Sequence, residues 1–269
     1  MTAPRPRLTD RQALARHRAR ARDPFLHRLA RDEAQDRLAL VNRTFTKPAV
    51  ITPFPEVWQG FDARIVGDDD TLDLQPGAHD CVIHAMALHW ADDPVGQLIQ
   101  CRRALEPDGL LVAILPGGRS FHELRSALAG AEAELLGGLS PRVLPMADIR
   151  DLGALLQRAD LALPVADSDT LTLTYRDFGH LVSDLRNSGE TNALDARLRS
   201  ATPRTVLARA AALYTDTFAT PDGRLPATIE WITLTGWAPG PGQPRPLRPG
   251  SATERLAQAL NTTETPLPD

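Results

Sequence analysis

Only two cysteines occur in the chain, Cys81 and Cys101. They can build neither a disulfide framework nor a four-sulfur zinc site, and their scarcity fits a reducing compartment, the cytoplasm. Lysine is scarcer still: Lys47 stands alone among 30 basic residues, the rest being arginine. No apolar run approaches the roughly 20 residues of a membrane-spanning helix, and there is no signal-peptide core. The net charge of −4 and a pI near 6.0 argue against a wholesale nucleic-acid binder. What is there reads as globular: 42% of 269 residues are apolar and 24% charged, enough to bury one large core or two small ones. Extended disorder, collagen and coiled coil are excluded for the whole.

The basic charge gathers at the start. Residues 1–22 hold seven arginines against Asp10, a net +6, which leaves −10 for the remainder. Thr9 and Gln12 form a capping-box pattern opening a basic helix to about Arg22, whose apolar positions are mostly alanine and predict weak packing. Asp23-Pro24 opens a second helix to about Asn42, with Phe25, Leu29, Leu38 and Val41 as its apolar stripe. Strands are expected at 49–52, 63–66, 81–86 and 110–115, the last apolar throughout and so buried on both faces of a parallel sheet. A helix capped by Asp93-Pro94 lies between the last two. Beyond them come a helix from a Ser120/Glu123 capping box, a helix over 148–159, a threonine-rich strand at 170–175, helices at 177–186 and 203–218, and a strand at 228–237. A proline- and glycine-rich arm follows, with a short helix capped by Ser251 and Glu254. Alternating strands and helices from 49 to 175 predict an α/β fold on a mostly parallel sheet.

Three pieces between Gly67 and Gly118 carry a resemblance. They are Gly67-Asp68-Asp69-Asp70-Thr71-Leu72, then His79-Asp80-Cys81-Val82-Ile83 through Ala87-Leu88-His89-Trp90, then Arg102-Arg103-Ala104-Leu105-Glu106-Pro107-Asp108-Gly109-Leu110-Leu111. In this order and spacing they resemble the Rossmann-like S-adenosylmethionine-dependent methyltransferases. Further stretches narrow the likeness: the helix 11–22, Ser140-Pro141-Arg142-Val143, Asp151-Leu152-Gly153-Ala154-Leu155-Leu156-Gln157, Gly189-Glu190-Thr191-Asn192-Ala193, Leu234-Thr235-Gly236-Trp237 and Arg248-Pro249-Gly250-Ser251-Ala252. These resemble the methyltransferase-like respiratory complex I assembly factors and their alphaproteobacterial relatives. The malonyl carrier-protein methyltransferases are more distant kin.

The resemblance implies a Rossmann-like methyltransferase fold and S-adenosylmethionine as cofactor. It implies that Asp68 and Asp69 face the adenine, with His84 and Ala85 at the exit of the family's fourth strand also at the cofactor. For mitochondrial members it implies arginine hydroxylation on a complex I subunit. Organised this way, residues 1–42 are N-terminal helices. Residues 43–238 are the methyltransferase-like domain with a helical insertion at about 177–220, and residues 239–269 are the arm and its short helix.

The residues also depart from that pattern. The family's first motif is a glycine-rich turn after the first strand, where free N–H groups meet the cofactor carboxylate. Here the strand is followed by Thr52-Pro53-Phe54-Pro55-Glu56-Val57-Trp58-Gln59, without glycine, and with two prolines that have no N–H. Length gives an independent argument. A helix, a strand, a helix and a strand need roughly 32 residues before loops, and positions 53–79 supply 27. One βα unit is therefore expected to be missing at the first sheet edge, and with it the acid that grips the ribose.

His84 and His89 are the candidates for a general base, since imidazole titrates near neutrality; against this, buried imidazoles often only satisfy nearby carbonyls. Five residues apart and without a third ligand, they do not make a metal site. Asp92 and Asp93 read as helix caps and Trp90 as core. The basic N-terminal helix could serve as a docking arm for a protein partner, a complex I subunit among them, or meet an anionic membrane surface peripherally. The few aromatics argue against RNA, and the charge against DNA. Two functions stand side by side: a methyltransferase-family protein of the complex I assembly type acting on a protein, and a non-catalytic pseudoenzyme retained as a binding or assembly factor.

Overall fold

A computed structural model describes residues 7–243, 256–259 and 261–262. The described residues as far as Pro239 form one compact unit. Of residues 240–269, a second unit, one helical turn is described, Leu256–Ala259. The cap expected at Ser251 and Glu254 and most of the arm lie outside the described residues.

Six strands form one sheet in the order β2-β1-β3-β4-β6-β5. They are β1 (Pro48–Ile51), β2 (Arg64–Val66), β3 (His79–Ala85), β4 (Leu105–Pro116), β5 (Ala162–Tyr175) and β6 (Leu225–Trp237). β2, β1, β3 and β4 pair in parallel; β6 runs antiparallel to both β4 and β5. The mostly parallel α/β sheet is as expected, and so is the trimmed edge. A single strand, β2, lies beyond β1, and a 3₁₀ turn at Pro55–Trp58 stands where a helix would.

Strand alternation sorts the core into two faces. Val50, Cys81, Ile83, Val112 and Ile114 face one layer with α2 (Phe25–Leu40), α4 (His122–Leu136), α6 (Phe178–Asn187) and α7 (Arg204–Phe218). Ala49, Ile51, Val82, Leu111 and Ala113 face the other with α3 (Pro94–Ala104) and α5 (Ile149–Arg158). β1 and β3 are wholly buried for this reason. α6 and α7 lie between β5 and β6.

Several local expectations need correction. α1 spans Arg11–Arg18 and is capped by Asp10, whose carboxylate accepts from Ala13 N at 3.0 Å. Thr9 is drawn away from capping because its hydroxyl donates to Trp90 O at 2.8 Å. Of the expected stripe of α2, Phe25, Leu38 and Val41 pack against the core, whereas Leu29 is 39% exposed; Leu26, His27, Ala30 and Ala34 are the buried residues. His27, Ala30 and Ala34 join these apolar side chains on the contact face, and hydrophobicity alone does not mark them. Ser120 and Glu123 do not cap α4. The Ser120 hydroxyl accepts from Glu230 N, and the Glu123 carboxylate accepts from Thr228 N, both on β6. Asp93 does cap α3, accepting from Gly96 N at 2.8 Å. Asp92 instead accepts from Leu8 N and Thr9 N.

The weak packing expected of α1 is also corrected. Ala13 and Leu14 are buried with Trp90, Leu144, Ala193 and Leu194. Thr9 forms a β-bridge with Leu194, and Asp10 pairs with Arg197 at 2.9 Å. Arg11 and Arg18 of α1 turn to the protein itself, whereas Arg16 is exposed.

Candidate functional site

In an open parallel sheet the chemistry gathers beyond the carboxyl ends of the strands. Here those ends are Thr52 after β1, Asp68 after β2, Met86 after β3 and Pro116 closing β4. A cavity of about 820 Å³ lies between α1 and the ends of β1 and β2, and its lining includes Arg11, Arg18, Phe54, Glu56, Asp68 and Asp69.

Asp68 is buried and engaged. Arg18 Nη1 donates to its Oδ2 at 2.8 Å and Arg11 Nη1 to the same oxygen at 3.3 Å. Burial would raise this carboxyl, but Arg18 and Arg11 outweigh it and hold it below its ordinary value. Asp69 is exposed. Its main-chain oxygen accepts from Gln97 Nε2 at 3.1 Å, and Gln97 Oε1 meets His84 Nε2 at 2.8 Å. His84 is fully buried, and desolvation, against the Gln97 bond, lowers its pKa to about 4. Ala85 ends β3 and packs inside the core.

Arg18 also joins a second carboxylate that lies far from Asp68 in sequence. Glu190 sits in the turn after α6. Its Oε1 is 3.2 Å from His27 Nε2 and 3.7 Å from Arg18 Nε, and its Oε2 accepts from Trp90 Nε1 at 2.5 Å. His89 Nε2 is 3.6 Å from the same Oε2. Burial would raise Glu190, but Arg18, His27 and His89 together hold it well below the usual carboxylate range. The chain Asp68–Arg18–Glu190 thus bolts α1 across the strand ends. Gly189 (φ +78°) makes the close approach possible, since a Cβ there would lie 3.1 Å from Arg18 Cα and 3.2 Å from the Phe54 ring.

The expected positions therefore separate. Asp68, Asp69 and His84 come together near the cavity beside β2, whereas His89 lies in the Glu190 cluster. Sequence reasoning missed Glu190, Arg18 and His27 as one network. Gly189-Glu190 carries no periodicity, and its partners His27 and Trp90 lie 163 and 100 residues away. No group of three or more histidine, cysteine or acidic side chains could hold a metal ion among the described residues.

S-adenosylmethionine needs N–H donors for its carboxylate and a carboxylate for its adenine and ribose. In the four residues after β1, 52–55, the donors are absent or spent. Thr52 N donates to Val66 O, Phe54 N donates to Thr52 Oγ1, and Pro53 and Pro55 have none. Phe54 is 4% exposed and stacks edge-on with His27 at 4.5 Å, filling the space beside the turn. α1 adds two guanidinium groups to the wall, and both are already engaged by Asp68. These residues do not fit the cofactor in the family's manner.

Comparison with known proteins agrees with the fold. A methyltransferase domain family matches residues 30–113. The chain is 35% identical to the arginine-hydroxylase NDUFAF5, mitochondrial, of Mus musculus over 190 residues, 71% of this chain and 55% of that protein. The Homo sapiens protein of the same name is 34% identical over 70% of this chain and 54% of its own length. A malonyl acyl-carrier protein O-methyltransferase of Xylella fastidiosa is 36% identical over 68% of this chain and 59% of its own. The match spans little more than half the length of these relatives.

Proposed function

This chain belongs to the S-adenosylmethionine-dependent methyltransferase superfamily, and from that premise we propose that it is a member of the complex I assembly type that acts on a protein by binding it, without methyl transfer. One observation carries the binding reading: residues 52–55 directly after β1 offer no free N–H to a cofactor carboxylate, while Arg11 and Arg18 hold Asp68. Fold alone does not fix function, and here the site has kept the sheet and given its strand ends to an internal ion-pair chain. His84 is a structural residue in this reading, tied to Gln97.

The partner is a protein, a respiratory complex I subunit by analogy with the named relatives, met at the periphery of the membrane. Among the described residues no helix is long and apolar enough to cross one. The cytoplasm is the compartment of this reading. It is supported by the low cysteine count and by Cys81 and Cys101 both being free thiols.

The test is complementation of a strain lacking the gene, read as assembled complex I in membranes. Wild type and the Asp69→Asn/Asp70→Asn double variant are expected to restore the complex equally. A folded double variant that fails to restore it would contradict binding without the cofactor. Unchanged complex I in the deletion strain would contradict the assembly role.

A further inference from the structure

β5 closes the sheet on the side away from β2, and no strand pairs with its outer edge among the described residues. Which of its main-chain groups face outward follows from β6. Thr228 O accepts from Phe121 N and Glu230 O from Gly117 N, both at 2.7 Å. Thr228 N and Glu230 N donate to the Glu123 carboxylate and the Ser120 hydroxyl. The even-numbered residues of β6 therefore present N–H and C=O to the β4 side, and the odd-numbered ones present theirs to β5. Leu171 and Leu173 stand opposite Ile229 and Ala227 and make the ladder bonds. Thr170, Thr172 and Thr174 stand opposite Glu230, Thr228 and Pro226, so their N–H and C=O groups point away from the sheet. Among the described residues only the Thr174 carbonyl of these is occupied, by Arg224 Nη2 at 2.8 Å.

This edge is guarded unevenly. Prolines, bulges and charges keep strand edges from pairing. The first part of β5 has all three: Pro164, a register shift between Ala162 and Val165, and the acids Asp167 and Asp169. Residues 170–174 have none of them, and their sequence, Thr-Leu-Thr-Leu-Thr, reads the same in both directions. The three threonines are exposed on one face, and Leu171 and Leu173 are half-buried against the core on the other.

We propose that residues 169–175 pair antiparallel with the same residues of a second copy of this chain, about a two-fold axis at Thr172, joining two sheets into one. The symmetry of the segment selects this occupant. About that axis Thr170 faces Thr174 of the other copy and Leu171 faces its Leu173, so hydroxyls meet hydroxyls and the half-buried leucines cover each other. Asp169 faces Tyr175 rather than another acid, and Asp167 stays with Arg37. Charge fits as well. Ser168 falls opposite Arg176 of the other copy, and its hydroxyl donates to Glu230 Oε1 at 3.3 Å. Glu230 has no cationic partner among the described residues, while the Arg176 side chain is 77% exposed and bonded to the adjacent Asp177. The pairing brings each Arg176 towards the Glu230 of the other copy. The inference stands on the sheet and does not depend on the binding reading above.

The test is sedimentation equilibrium of the full chain, with cross-linking to fix the register. Wild type is expected to be dimeric at micromolar concentration. Thr172→Lys sets like charges opposite each other at the axis and should weaken association about tenfold or more. Its melting curve at low concentration should match that of wild type, because the side chain is exposed and the main chain there bonds nothing in the sheet. With a short bismaleimide, Thr172→Cys should link into dimers, since facing residues of a hydrogen-bonded pair have Cα atoms about 5.5 Å apart. Thr170→Cys places its two thiols about 14 Å apart and should link poorly alone, but well when mixed with Thr174→Cys. Cys81 and Cys101 are buried and give no background. A monomeric wild type would overturn the proposal and leave the edge to a strand of another protein. Undiminished association of Thr172→Lys, or Thr170→Cys linking better than Thr172→Cys, would overturn it too.

Discussion

His84 illustrates how a residue chosen for chemistry becomes one that governs stability. It is enclosed at the end of β3 with Gln97 at 2.8 Å, and its pKa falls to about 4. An unfolded histidine titrates near 6.5, so between pH 6.5 and 4 the unfolded chain binds more protons than the folded one. Stability is then fully present above pH 6.5 and falls as pH drops towards 4, by up to about 3 kcal/mol for this group. His17 and His27, also lowered by burial, add to the same slope. Asp68 and Glu190, both held low, add their loss only at still lower pH. Urea unfolding at stepped pH should show this decline, and His84→Gln, which keeps a partner for Gln97 without the titrating ring, should flatten it. Parallel curves for variant and wild type would place the decline elsewhere. The candidate site was legible at this scale only in part. Asp68, Asp69 and His84 were marked by their place after strands, where motif order fixes position. Glu190 was not, because a buried acid is distinguished by partners that folding brings from far along the chain.

At the scale of elements, patterns of local origin were readable. Pro94 after Asp93, the uninterrupted apolar run of β4 and the shortage of residues between positions 53 and 79 each fixed a feature the structure contains. Patterns that compete with tertiary partners were not. Thr9, Ser120 and Glu123 look like caps, yet Trp90, Glu230 and Thr228 take their hydrogen bonds. α1 is the largest case. An alanine- and arginine-rich helix reads as a solvated arm, but alanine permits close approach, and two of its arginines meet buried acids. Removing one side of a buried ion pair leaves the other unpaired at a cost of several kcal/mol. Deleting residues 1–22 should therefore lower the thermal midpoint by about 10 °C or more, or prevent folding. A truncated chain with an unchanged melting curve would restore the docking-arm reading.

In the whole molecule, fold and cofactor contacts come apart. The alternation of strands and helices, the parallel ladder from β2 to β4 and the antiparallel β6 define the superfamily's architecture with one edge unit absent. What made this legible is that sheet order follows from length and hydrophobic runs, both of which survive loss of a motif. What occupies the strand ends did not follow, because it depends on how α1 folds back. The central claim is that the internal chain Asp68–Arg18–Glu190 has replaced the cofactor's contacts. Calorimetric titration of this chain with S-adenosylmethionine and S-adenosylhomocysteine is the test. The account predicts no saturable heat up to millimolar ligand. A dissociation constant in the micromolar range, about −8 kcal/mol, would contradict it and return the protein to the methyl-transferring members of its superfamily.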